Sequence, residues 1–202
     1  MHLVAIEGNI GAGKTTLARK IASEHNAKLV LERFADNPFL PKFYKDQSRY
    51  AFPLEMSFLA DRYQQFTDDT SQFDLFKNFM VSDYDICKSL IFAQITLQKE
   101  EFKLYRKMFN FMYNEVKKPD IYIFLYQSTE RLLENIKKRG RAYEQGIDKE
   151  YLELINRGYF DYLKGFPPNK SLVIDIADLD FVENTSHYEL IIDKILEQAL
   201  TQ

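Results

Sequence analysis

The sequence is poor in cysteine and histidine, the residues on which disulfide frameworks and most zinc sites depend. Its 202 residues include one cysteine, Cys87, and three scattered histidines, His2, His25 and His187. A single cysteine cannot form an internal disulfide, and these histidines do not have the spacing of a transition-metal site. We therefore expect a protein of a reducing compartment, the cytoplasm, without a histidine or cysteine metal centre.

Long apolar runs and an excess of charge are also missing. No stretch approaches the ~20 apolar residues of a transmembrane helix, and the first residues do not resemble a signal peptide. Lysine and arginine total 27 against 30 acidic residues, a net charge of −3, so no basic field attracts nucleic acid or an anionic membrane. We expect neither a nucleic-acid polymer nor a membrane as a partner.

The composition is that of a globular protein, with 46% hydrophobic and 28% charged residues. Its length suits a single domain, residues 1–202. Five short apolar runs, near residues 2–7, 28–31, 79–81, 121–126 and 172–176, alternate with helical patterns. We expect one helix to begin at Pro53 and another to run from Ile86 to Glu115. The alternation predicts a three-layer α/β fold, a five-stranded parallel sheet covered by helices, with ligands at the carboxyl ends of the strands.

The residues after the first predicted strand form a complete phosphate-binding loop, or P-loop. The pattern G-x-x-x-x-G-K-[ST] is matched between a strand and a helix by Gly8, Asn9, Ile10, Gly11, Ala12, Gly13, Lys14 and Thr15, followed by Thr16. Glycines let backbone N–H groups converge on phosphate oxygens at a helix N-terminus. We expect Lys14 to reach the β- and γ-phosphates of ATP and Thr15 to bind Mg²⁺.

Two acidic residues and a basic segment are placed to serve phosphoryl transfer. Glu32 follows the second strand and is a candidate general base for an attacking hydroxyl; an ion pair with a neighbour such as Arg33 is the alternative. Asp83 follows the third strand as a candidate Mg²⁺ ligand, with Asp85 and helix capping as competitors. Residues 137–147 open with Lys-Lys-Arg-Gly-Arg. They are a candidate phosphate lid, against a solvated helix face or a nucleic-acid patch.

These segments together resemble the deoxynucleoside kinase family over nearly the whole chain. The resemblance is carried by the P-loop, Glu32, Asp61-Arg62 and the string from Arg139 to Ile147, followed by Tyr151-Leu152. It implies a P-loop kinase fold and ATP-dependent phosphorylation of a deoxynucleoside 5′-hydroxyl in nucleotide salvage. It also implies a homodimer, which agrees with the aromatic-rich helices predicted around 54–66 and 86–111.

The resemblance also assigns roles to individual residues. It implies that Glu32 is the general base. It also implies that Arg139 and Arg141 stabilise the negative charge on the transferred phosphoryl group. The remaining matches are to substrate-binding positions: Tyr44 and Glu144 for the sugar 3′-hydroxyl, Arg62 near the base and the reacting oxygen, and Phe58 in the pocket lining.

Three segments depart from the family pattern. Ser82-Asp83-Tyr84 replaces Glu-Arg-Ser, so Asp83 is expected to take the metal role and another arginine to supply the lost positive charge. Glu55 replaces a base-reading glutamine. Ionised, it only accepts hydrogen bonds and suits guanine; protonated, it also serves adenine, so a purine is favoured. Lys88 replaces an aspartate that reads the base in some members, which argues against a cytosine preference.

Other nucleotide-binding functions remain open. A nucleoside monophosphate kinase, similar to thymidylate kinase, shares the fold but needs additional cations for the phosphate of its acceptor. A non-catalytic regulatory module would bind ATP without transferring phosphate. A GTPase switch is disfavoured because neither Asp-x-x-Gly nor Asn-Lys-x-Asp occurs in the sequence.

Overall fold

The structure, a computed structural model, describes residues 2–33, 37–71, 74–167 and 169–200. The described chain contains five strands, β1 Leu3–Gly8, β2 Lys28–Val30, β3 Met80–Ser82, β4 Ile121–Tyr126 and β5 Ser171–Asp175. Its eight α-helices are α1 Lys14–Glu24, α2 Leu40–Phe43, α3 Gln47–Ser71, α4 Cys87–Thr96, α5 Lys99–Glu115, α6 Thr129–Arg139, α7 Lys149–Leu163 and α8 Thr185–Leu200.

All strand pairs are parallel, and the strand order is β2-β3-β1-β4-β5. From β1 the chain first forms β2 and β3 on one side of the sheet and then β4 and β5 on the other side. Because the crossovers are right-handed, this change of direction places helices on both faces of the sheet. The predicted α/β fold is confirmed. None of the helices within the described ranges has the length and apolar character needed to cross a membrane.

The sheet centre is apolar because its strands are covered on both faces. All six residues of β1 are buried, and so are the first five of β4. Central parallel strands are typically continuous apolar runs of this kind. The register pairs Ile6 with Ile123 and Ala5 with Ser82, which brings the carboxyl ends of β1, β3 and β4 to one edge.

The predicted start of the long helix at Pro53 was wrong, because α3 begins six residues earlier, at Gln47. The Asp46 carboxylate caps this helix by accepting the backbone N–H of Arg49 at 3.2 Å. Pro53 lies inside α3, where its missing N–H removes one helical hydrogen bond. The turns before Pro53 are retained because they pack against α2, with Ala51 buried.

The helix predicted from Ile86 to Glu115 is two helices, because the chain is extended at Leu97 and Gln98. A capping box starts the second one: the Glu101 carboxylate accepts the N–H of Gln98 at 3.0 Å. The Gln-x-x-Glu pattern was therefore the missed signal. The break allows α5 to fold back against α3 and α4.

Candidate active site

The P-loop curls tightly between β1 and α1. Gly11 and Gly13 have φ angles of +87° and +82°, which residues with side chains rarely adopt. Lys14 folds over the loop and donates hydrogen bonds to the carbonyls of Gly8 at 2.9 Å and Asn9 at 2.8 Å. Its ammonium group is thereby held over the space that the loop encloses.

Side chains from the rest of the fold anchor this loop. Asn9 is fully buried and donates from Nδ2 to the Leu152 carbonyl and to Oδ1 of Asn156, both at 2.8 Å. From α6, Asn135 donates to the Gly11 carbonyl at 2.9 Å. The Asn9 side chain thus faces α7, which leaves the backbone of this residue for phosphate contacts.

A cavity of about 470 Å³ lies over the outer side of the P-loop. Its cationic lining residues are Lys14, Arg131, Lys138, Arg139 and Arg141. One wall of this cavity is formed by the segment after β5, which includes Ile176 and Phe181 and was not predicted from the sequence. The signal for this segment was its place after a strand, at the same edge of the sheet as the P-loop.

Glu32 lies in a second cavity, of about 120 Å³, that shares Lys14 and Thr15 with the first. Its Oε1 accepts from Nε of Arg62 at 2.8 Å and its Oε2 from Nζ of Lys88 at 2.6 Å. Burial alone would raise the pKa of Glu32, but Lys88 and then Arg62 lower it to about 2. The carboxylate is therefore ionised at neutral pH, in the second cavity, which Lys14 and Thr15 of the P-loop also line.

Asp83 joins the P-loop to the segment that carries Glu32. Its Oδ2 accepts a hydrogen bond from the Thr15 hydroxyl, and its Oδ1 accepts the backbone N–H of Glu32 at 2.8 Å. The competitor Asp85 instead accepts the N–H of Cys87 at 2.9 Å, at the start of α4. Mg²⁺ binds proteins through one or two carboxylates together with phosphates and waters, so the oxygen atoms of Thr15 and Asp83 fit this ion.

The inner end of the second cavity has both polar and aromatic walls. Glu55 is almost fully buried; its Oε1 accepts from the Thr96 hydroxyl at 3.0 Å, and its Oε2 has no partner among the described residues. Burial raises the pKa of Glu55 to about 7, against the opposite effect of Arg62. The Phe58 ring lies 4.5 Å from the Arg62 guanidinium. Glu55 thus lines a partly aromatic cavity with one of its carboxylate oxygens unpaired among the described residues.

The basic lid begins inside a helix, because residues 137–139 form the last turn of α6. The helix ends at Gly140, whose φ is +73°. Both lid arginines pair with the buried Glu144: Nε of Arg139 contacts Oε2 at 3.1 Å, and Nη1 of Arg141 contacts Oε1 at 3.1 Å. The candidate lid, residues 137–147, therefore starts within α6 and continues beyond its end.

Tyr44 completes the lid side of the second cavity. Its ring stacks on that of Tyr143, with the ring centroids 6.1 Å apart. Burial, and then the neighbouring Glu144 carboxylate, raise the pKa of the Tyr44 hydroxyl. The structure thus brings Tyr44, Glu144 and both lid arginines to the cavity that contains Glu32.

The family profile described as Deoxynucleoside kinase matches residues 4–201 of this chain. The chain belongs to the deoxynucleoside kinase family. It is 36% identical over 198 residues to deoxyguanosine kinase of Bacillus subtilis (strain 168), covering 96% of each chain. It is 31% identical over 201 residues to deoxyadenosine/deoxycytidine kinase of the same organism, covering 96% of this chain and 91% of that one.

Solved deoxynucleoside kinase structures share the fold. Deoxyadenosine kinase from M. mycoides with bound dATP aligns with a TM-score of 0.80 and 27% identity over 96% of this chain and 98% of that one. The same enzyme with the products dCMP and a flexible dCDP aligns equally well, with a TM-score of 0.80. These findings confirm the family and the fold that the sequence predicted.

Replacement of Glu32 by glutamine tests the role of its carboxylate in this deoxynucleoside kinase. We expect Glu32→Gln to retain ATP binding and to lose turnover by at least about 10²-fold, the lower range for removal of a general base. Steady-state kinetics and ATP titration measure the two effects. The matched control is Glu134→Gln on exposed α6. Turnover of Glu32→Gln within a few-fold of the wild type would contradict the assignment.

Proposed function

We propose that this kinase transfers the γ-phosphoryl group of ATP to the 5′-hydroxyl of a purine deoxynucleoside and supplies the 5′-monophosphate for nucleotide salvage. The observation that carries the proposal is the ionised Glu32 carboxylate in a cavity shared with Lys14 and Thr15 of the P-loop. The curated relatives named deoxyguanosine kinase and deoxyadenosine kinase support the acceptor class.

The proposed transfer moves one phosphoryl group and one proton. The 5′-oxygen forms a bond to the γ-phosphorus while the bond from that phosphorus to the β–γ bridging oxygen breaks, and ADP leaves with the electron pair. The 5′-hydroxyl proton passes to the Glu32 carboxylate. The ammonium group of Lys14 stabilises the negative charge on the phosphates. Positioning and electrostatics therefore account for the catalysis.

Thr15 and Asp83 are the proposed ligands for a magnesium ion accompanying ATP. When bound, Mg²⁺ would supply positive charge that neutralises the phosphate oxygens. The Asp83 carboxylate already contacts both the Thr15 hydroxyl and the Glu32 backbone. It thereby fixes the distance between the proposed metal ligands and the general base.

Two lid residues are proposed to bind the phosphoryl group of ATP, and another lid residue, together with Tyr44, is proposed to bind the sugar of the deoxynucleoside. Arg139 and Arg141 line both cavities and are proposed to contact the transferred phosphoryl group, since guanidinium groups bind phosphate oxygens in pairs. Glu144 and Tyr44 face the second cavity, where we propose that they bind the sugar 3′-hydroxyl. Because Glu144 now holds both arginines, binding of phosphate by the arginines releases its carboxylate toward the sugar.

Glu55 is the proposed base-reading residue. An ionised carboxylate only accepts hydrogen bonds and matches the N1–H and amino donors of guanine; a protonated carboxyl group also donates and matches adenine. Oε2 of Glu55 has no partner within the described part of the chain, and Glu55 lines the second cavity together with Phe58 and Phe92. These contacts favour guanine when Glu55 is ionised and admit adenine when it is protonated.

We also propose a homodimer, with residues 1–202 of each chain forming one catalytic domain. Leu104, Met108 and Phe111 follow one another at helical spacing on α5 and expose 52%, 36% and 79% of their surface. An exposed apolar stripe of this kind on a helix is typical of a protein interface.

The cytoplasmic location remains a prediction from the sequence.

A panel of acceptors tests the proposed reaction. With Mg²⁺ and ATP, we expect deoxyguanosine or deoxyadenosine to have the highest kcat/KM of the four deoxynucleosides. The corresponding deoxynucleoside monophosphates serve as the control acceptors and should not be phosphorylated. Preference for a monophosphate would identify a monophosphate kinase, and ATP binding without transfer to any acceptor would identify a non-catalytic module.

Base preference should depend on pH because Glu55 titrates near neutrality. As the pH rises through about 7, the kcat/KM ratio of deoxyguanosine to deoxyadenosine should increase by about tenfold, since a charged hydrogen bond contributes about 1.5–3 kcal/mol. In the control Glu55→Gln, the ratio should favour deoxyadenosine and lose its pH dependence. A wild-type ratio that does not change with pH would refute the proposed role of Glu55.

Light scattering tests the dimer. The wild type should have twice the 23.9 kDa mass of one chain, whereas Phe111→Glu should shift the protein to the monomer by placing a charge in the interface. Phe76→Glu, which changes a side chain that is 87% exposed elsewhere, is the control and should remain dimeric. A wild type that is monomeric at micromolar concentration would rule out the proposal.

A further inference from the structure

Lys88 contacts the second oxygen of the Glu32 carboxylate. It is the second residue of α4 and only 8% exposed, and its Nζ lies 2.6 Å from Oε2 of Glu32. The first oxygen of Glu32 already accepts from Arg62, whose Nη1 also donates to the Ser89 hydroxyl at 2.9 Å. Arg62 alone would therefore provide a structural ion pair, and Lys88 is additional to it.

The Glu32 carboxylate, which carries one negative charge, thereby contacts two cations. Lys14 of the P-loop lines the same cavity as Lys88 and Glu32. Buried like charges are unfavourable unless an anion lies close to both. In the proposed reaction, the transferred phosphoryl group is an anion that passes between the P-loop and Glu32.

Lys88 lies closer to the proposed site of phosphoryl transfer, at Glu32, than to the proposed binding site of the nucleoside base. Its Nζ lies 5.8 Å from the ring centroid of Phe92, beside the base-reading site, against 2.6 Å to Glu32. The charged groups that influence Glu32 or Lys14 from the surrounding elements are Glu7 of β1, Lys14 of α1, Arg62 of α3, Asp83 after β3 and Lys88 of α4.

We propose that Lys88 is a positioning residue for phosphoryl transfer, whose ammonium group fixes the Glu32 carboxylate and places positive charge beside the P-loop lysine. This role rests on the proposed function, because it acts through the general base. Lys88 keeps its proton, and no bond to it forms or breaks. It supplies the cation that Ser82-Asp83-Tyr84 lacks, for which the sequence led us to expect an arginine.

Replacement of Lys88 by methionine removes the charge and retains the apolar stem. We expect Lys88→Met to lower kcat by about 10²-fold, comparable to loss of one preorganised donor, and to change the KM for ATP by less than about threefold, because phosphate binding by the P-loop remains. Lys88→Arg should recover most of the lost kcat. The matched control Lys103→Met, on the exposed face of α5, should match the wild type.

A double variant separates action through Glu32 from an independent effect. If Lys88 acts through Glu32, Glu32→Gln combined with Lys88→Met should have nearly the kcat of Glu32→Gln alone, since residues of one catalytic unit are not additive. Multiplicative losses, a kcat of Lys88→Met close to the wild type, or no recovery with arginine would each overturn the proposal.

Two measurements keep the result interpretable. Thermal unfolding shows whether Lys88→Met folds; if it does not, Lys88→Gln, which retains a donor without the charge, replaces it and should show the same loss of kcat. Inactivity of the wild type with every deoxynucleoside would contradict the proposed function itself. The result for Lys88 is read only as a ratio to an active wild type.

Discussion

A buried carboxylate that stays ionised must have cations beside it, and the Glu32 carboxylate has one on each oxygen. Without these two cations the buried charge would be uncompensated, which typically costs about 3–5 kcal/mol. The segment after β2, the middle of α3 and the start of α4 therefore have to meet at one point. This constraint determines the positions of Arg62 and Lys88, and with them the shape of the cavity.

The same constraint links the two halves of the site. The Asp83 carboxylate contacts the P-loop through Thr15 and the Glu32 backbone through its other oxygen. A displacement of β3 would therefore move the proposed metal ligands and the proposed general base together. This coupling follows from parallel topology, because β1, β2 and β3 are neighbours whose carboxyl ends share one edge.

Local signals determined how much could be predicted from the sequence. The P-loop and β4 are encoded by contiguous residues, and β4 was predicted at its observed bounds, Ile121–Tyr126. The early start of α3 depends on a single capping aspartate, Asp46, which competed with the stronger signal of Pro53. Boundaries of this kind are decided by packing as much as by propensity.

Contacts between distant residues carried no comparable signal. Glu32 and Lys88 are 56 positions apart, and nothing in the residues between them indicates an ion pair. The pair of Arg141 and Glu144, by contrast, spans three positions, so proximity alone brings these residues together. The cavity wall after β5, residues 176–183, was missed because its sequence matches no recognised pattern.

The low pKa of Glu32 is compatible with a proton acceptor in this reaction. A carboxylate whose pKa is about 2 is a weak base toward an unactivated hydroxyl, so early proton abstraction is unfavourable. Phosphoryl transfer usually has a loose transition state, in which the nucleophile needs little activation and becomes strongly acidic only as its bond to phosphorus forms. Glu32 can therefore orient the hydroxyl first and receive the proton late. Arg62 and Lys88 lower the proton affinity of the Glu32 carboxylate, but they also hold it in a fixed position. The gain in positioning offsets the loss of basicity.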